Sequence, residues 1–199
     1  MAKQTDMITL AEKKDMILAR ETAFAKTVSA IVIDKPQLSL WMILIPVIFV
    51  HFFYRLNKYS QGRKDFARQF LLSRERSLNE SLEALESDKK PDTNKVRQMA
   101  TIPEGTSKTY VKWLKVMMDH YTDLLASEGE SYEEMVRSVY KNRTNYLLFL
   151  NSLGESEKAF DNALKPHLNK DTNGVSDIVK TIEACTTQLR RQEASKIFP

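Results

Sequence analysis

The sequence is short of residues that staple, bend or interrupt a chain. Its one cysteine, Cys185, excludes an intrachain disulfide and a cysteine-based metal site, and fits a reducing compartment. It has 5 glycines and 6 prolines in 199 residues. Gly105, Gly129, Gly154 and Gly174 fall between periodic apolar segments, where glycine would separate helices. No nucleophile elbow, phosphate-binding loop or dinucleotide fingerprint is present. No Glu-x-x-His pair occurs, so the four-helix di-metal pattern is missing although His120 lies beside Asp119 and near Asp123. Charges at Lys3, Asp6, Glu12, Lys13, Lys14, Asp15, Arg20, Glu21 and Lys26 leave no apolar core for a cleavable signal peptide. The expectation is a non-enzymatic protein without a cofactor or a metal.

The most informative shortage is local. From Leu38 to Tyr54 there is no Asp, Glu, Lys or Arg, and no other stretch is comparably apolar. Residues 36–54 therefore read as a membrane anchor, with Leu38, Ile45, Pro46, Phe49 and Phe53 in the apolar body. Trp41 and Tyr54 stand at its two ends, as aromatic belts do. As a helix the stretch reaches roughly 27 Å, at the short end of what spans a hydrocarbon core roughly 30 Å thick. Pro46 in its middle leaves open a hairpin that enters and leaves by one face, and a buried soluble helix also competes. His51 within it lies close to the basic end, where an interfacial histidine is inexpensive.

Basic residues are denser after the stretch (Arg55, Lys58, Arg63, Lys64, Arg68, Arg74) than before it (Arg20, Lys26, Lys35). That bias predicts a single-pass orientation with the C-terminal domain in the cytoplasm. The same residues, Arg55, Lys58, Arg63, Lys64 and Arg68, are candidate contacts for lipid headgroups. A formal net charge of +4 and the lack of a basic run interleaved with aromatics in the C-terminal half argue against nucleic acid as a partner.

The rest of the chain is helical in pattern. Residues 1–35 carry an apolar stripe (Met7, Leu10, Ile17, Leu18, Phe24, Ala25, Val28, Ile31, Val32) that suits a helix lying on a membrane or one packed within the protein. Asp34-Lys35-Pro36 ends it. Residues 55–90 carry a narrow seam (Phe66, Phe70, Leu71, Leu78, Leu82, Leu85) flanked by Arg74, Glu75, Arg76, Glu80 and Glu83. This suits a stalk, a self-association surface, or the first helix of the C-terminal bundle. Residues 91–105 read as a linker, and 106–199 as an antiparallel helical bundle with helices over 107–126, 131–152, 155–168 and from 175 onward. Ser131-x-x-Glu134 and Ser152-x-x-Glu155 mark two of the helix starts. Tyr110, Trp113, Met117, Tyr121, Tyr132 and Tyr140 are a candidate partner or ligand surface, although residues at helical spacing are more often bundle core. Sequons at Asn79 and Asn142 carry no weight on a cytoplasmic domain.

The fold class expected is all-α. The expected function is that of a membrane-anchored scaffold or accessory subunit, with membrane lipids and protein partners or a second copy of itself as its contacts. A membrane-bound ligand sensor and a membrane-permeabilising protein are the competing readings.

Overall fold

The computed structural model describes residues 8–33, 59–167 and 175–199. Among them every regular element is a helix: α1 (Leu10–Ile33), α2 (Tyr59–Glu86), α3 (Thr93–Gln98), α4 (Ser107–Ala126), α5 (Tyr132–Tyr140), α6 (Arg143–Leu164) and α7 (Val175–Ile197). A single 3-10 turn, Lys165–His167, follows α6. None of these helices is long and apolar enough to cross a membrane. Leu38, Trp41, Ile45, Pro46, Phe49, Phe53 and Tyr54 lie outside the described residues, as do Arg55 and Lys58.

The stripe on α1 is buried inside the protein. Ile17 and Val28 are fully buried, and Phe24, Ala25 and Val32 nearly so. They pack mainly on α2, with further contact to α4, α5 and α7. Burying one large aliphatic side chain is worth ~1.5–3 kcal/mol, so this face is committed to the fold. Of the two placements the stripe allowed, the packed one is observed. The same holds for α2, which is no free stalk: Phe66, Leu78 and Ala84 are buried along it. The stretch read as a linker also contributes. Asp92 caps α3 by accepting the Asn94 amide at 2.8 Å, and Val96 and Ala100 join the core. One apolar cluster thus runs from Ile17 through Leu78 and Val96 to Ile197.

Side-chain pairings give the helix directions. Glu21 meets Arg74 and Phe24 meets Phe70, so α1 and α2 are antiparallel. Ser73 meets Tyr110 and Ser81 donates to the Met118 carbonyl, so α2 and α4 are parallel, with residues 87–106 returning beside α2. Phe160 meets Tyr110 and Phe149 meets His120, making α6 antiparallel to α4. Arg190 meets Glu157 and Ser195 meets Arg143, making α7 antiparallel to α6. One end of the bundle therefore gathers the end of α1, the starts of α2, α4 and α7, and the end of α6.

The break between the middle helices differs from expectation. The expected break at 153–154 is absent, because α6 runs unbroken from Arg143 through Gly154 to Leu164. The chain turns instead at Lys141, whose φ is 65°, and Asn142, whose side chain accepts the Asn145 amide at 2.9 Å. Gly154 sits in mid-helix where Arg190 approaches: an added Cβ would lie 4.0 Å from its Nη1. The Ser131 cap is present, accepting the Glu134 amide at 3.3 Å, while Glu134 accepts the Glu130 amide at 2.7 Å. Gly129 before it has φ +142° and no room for a Cβ, which would meet the Met135 amide nitrogen at 2.8 Å.

Candidate functional site

The aromatic and methionine residues named as a candidate surface are drawn inward. Tyr110, Trp113, Met117 and Tyr121 are buried, and Tyr132 and Tyr140 are half-buried against the core. Of the two assignments the pattern allowed, bundle core is the one observed: their spacing puts them on the face of α4 and α5 that the other helices cover. Trp113 stacks on Phe160 with ring centroids 5.8 Å apart and planes 14° apart, and Tyr110 lies 5.0 Å from Phe160. Tyr110 shares a 3.0 Å hydrogen bond with Ser73.

Below this aromatic layer the core becomes ionic. Arg74, with 3% of its side chain exposed, bridges Glu21 of α1 at 3.3 Å and Glu157 of α6. Glu157 also receives a two-pronged bond from Arg190 of α7, at 2.7 and 2.8 Å. Arg20 bonds Glu193 at 2.7 Å, and Tyr121 donates to Glu21 at 2.8 Å. The guanidiniums also lie over rings: Arg74 on Phe70 at 4.7 Å and Arg190 on Phe24 at 5.6 Å. Four helices, α1, α2, α6 and α7, are tied by this network, with α4 joined through Tyr121.

Electrostatically the groups hold one another in place. Burial works against the Arg74 charge, but Glu21 and Glu157 outweigh it and raise its pKa. Burial would likewise raise Glu157, yet Arg190 and Arg74 keep it below the usual glutamate range. Glu193 goes the other way: burial exceeds the pull of Arg20 and raises it. His120 is buried, stacked on Phe149 at 4.2 Å and sharing a 2.7 Å hydrogen bond with the Tyr140 hydroxyl. Burial, then Arg74 and Arg190, push its pKa down to about 3. It is a neutral ring at physiological pH.

The cavity among these side chains is about 30 Å³ and is lined by Arg20, Glu21, Arg74, Tyr121, Arg190 and Glu193, with apolar neighbours. A small-molecule site usually needs ~300–1,000 Å³, so this space suits one water-sized molecule. Among the described residues, no group of three or more His, Cys, Asp or Glu side chains could hold a metal ion. Cys185 is buried, and burial raises its thiol pKa. The arrangement ties α1, α2, α6 and α7 together through charges that are each met in a definite geometry.

The sequence pattern does not reveal this centre. Arg20 and Arg74 read as charges that interrupt or flank an apolar stripe, and Glu21, Glu157, Arg190 and Glu193 belong to no motif. A usable signal is their place within the stripes: Arg74 lies one helical turn from Phe70 and Leu78. Of the candidate lipid contacts, Arg63 falls within α2, and Lys64 and Arg68 are exposed on it.

No family model matches the chain, and no curated protein or solved structure matches it.

Proposed function

We propose that the protein is a non-enzymatic helical scaffold or accessory subunit held at a membrane by Leu38–Tyr54, with its folded helices on one face of the bilayer. The observation that carries this is the antiparallel pairing of α1 and α2 across the charge-free stretch. The chain leaves α1 and re-enters α2 at the same end of the bundle. A single crossing would put those helices on opposite faces, where Glu21 could not meet Arg74 nor Phe24 meet Phe70. The pairing therefore favours the hairpin turning at Pro46 over the single-pass span. Two limbs of about nine residues, each ~13 Å long as helix, would enter one leaflet of a hydrocarbon core roughly 30 Å thick. Such an insertion requires no charged N-terminal tail to be translocated, and it is compatible with a cytoplasmic location. The bundle beyond it, with its core filled by its own side chains, presents its outer helix faces to protein partners or to a second copy.

Cysteine labelling in sealed vesicles tests the reading. Ala19→Cys on α1 and Glu130→Cys before α5 both replace exposed residues. The hairpin predicts that a membrane-impermeant maleimide reaches both from the same side. Labelling from opposite sides, or recovery of the whole protein in the soluble fraction after a high-salt wash, would sink it.

A further inference from the structure

The topology brings together, at the end of the bundle where Leu38–Tyr54 is attached, cations that lie far apart in the sequence. Phe24 meets Phe70, which puts Lys26 of α1 level with Arg68 of α2, and Lys64 lies one turn further toward that end. Tyr110 meets Ser73 and Phe160, which brings Lys108 at the start of α4 and Lys165 after α6 to the same end. All five side chains belong to exposed residues. Among the described residues none of them is in an ion pair, whereas Arg20, Arg74, Lys95, Lys115, Lys158 and Arg190 are paired elsewhere. Lys165 donates a hydrogen bond to Asn162, which leaves its charge unneutralised.

Among the described residues the carboxylates at this end are fewer and less exposed. Glu104 is exposed; Asp65 and Asp161 are half-buried; Glu183 is held by Lys158 at 2.7 Å. The opposite end differs in kind. There Glu12, Glu86, Asp88, Glu128, Glu130, Glu133 and Glu134 are exposed, among Lys89, Lys90, Arg137, Lys141, Arg143 and Lys196.

We infer that Lys26, Lys64, Arg68, Lys108 and Lys165 form a collar that seats this end of the bundle on anionic lipid headgroups. The inference rests on the proposed insertion of Leu38–Tyr54 and adds the chemistry of the surface. The exposed cations stand around the axis on α1, α2, α4 and the turn after α6 instead of on one face, so they suit a plane met end-on. A groove-following polyanion would find no continuous basic track. Each juxtamembrane cation strengthens binding to an anionic leaflet about fivefold, and the gain is lost as salt screens it.

Partition of the full chain onto vesicles tests this, using phosphatidylcholine alone and phosphatidylcholine with phosphatidylserine, at low and high salt. The expected result is binding to both, stronger on the order of a thousandfold with phosphatidylserine at low salt. That excess should vanish in Lys64→Glu/Arg68→Glu/Lys108→Glu/Lys165→Glu and fall in the corresponding Gln variant, with helicity by circular dichroism unchanged. Equal binding to both vesicle types, or charge variants that retain the excess, would overturn the collar and leave the insertion standing. No binding to either vesicle would overturn the insertion and the collar with it. Tighter binding to duplex DNA or RNA than to anionic vesicles at the same salt would replace lipid by nucleic acid as the partner.

Discussion

The core has two layers built on opposite principles. Around Tyr110, Trp113, Leu114 and Phe160 it is held by area: rings and aliphatic chains contribute roughly in proportion to the surface they bury, in no particular direction. Around Arg74, Glu157, Arg190 and Glu21 it is held by direction, since a guanidinium between carboxylates gains only when its nitrogens point at oxygens. The first layer would tolerate sliding of the helices better than the second. Compactness and register are thus secured separately here, the first by apolar stripes and the second by buried ions.

The most severe test of that contrast is to remove one ion. Glu157→Ala would leave the buried Arg190 guanidinium without its carboxylate and Arg74 with Glu21 alone, and should lower unfolding free energy by ~3–5 kcal/mol in urea titrations. Leu114→Ala in the apolar layer should cost somewhat less, ~2–4 kcal/mol, according to how far the site collapses. Acid separates the two. Glu157 has its pKa held below the unfolded value, so its contribution is complete above the ordinary glutamate range and is lost as pH falls through the folded value. The penalty of Glu157→Ala should therefore shrink in strong acid, while that of Leu114→Ala stays; equal pH profiles would refute the ionic account.

The smallest effect comes from Asp161, one turn from Glu157. Burial, and then the Glu157 charge, push its pKa up to about 7. Its folded value lies above the unfolded one, so folding is increasingly opposed as pH rises from the ordinary aspartate range toward 7. Asp161→Asn should stabilise the protein by ~1–2 kcal/mol at about pH 8 and change nothing near pH 3. A stabilisation that persists in acid would mean that packing, not charge, explains it.

How much of this is legible depends on what kind of signal a residue leaves. The stripe Tyr110, Trp113, Leu114, Met117, Met118, Tyr121, Leu124 and Leu125 predicts α4 closely, because apolar spacing reports directly which face turns inward. Ser131 is readable as a cap because capping is local. The break at Asn142 is not, since its asparagine cap competes with a glycine signal at Gly154, where the helix in fact continues. Arg20 and Arg74 read as solvated charges because a charge carries no mark of burial; its partners lie on other helices. The candidate headgroup contacts read as one run after the charge-free stretch. Lys26, Lys108 and Lys165 come to the same end of the bundle as Lys64 and Arg68 only through the fold.

Periodicity and composition are local properties, so the order of residues alone settles the helical class, most of the inward faces and the charge-free stretch from Leu38 to Tyr54. That α1 and α2 belong to the bundle is settled by packing. The same packing brings the end of α1 and the start of α2 to one end of the bundle and makes the centre ionic. Each of these is a pairing between helices distant in the chain, and it exists only once entropy has been spent to bring them together.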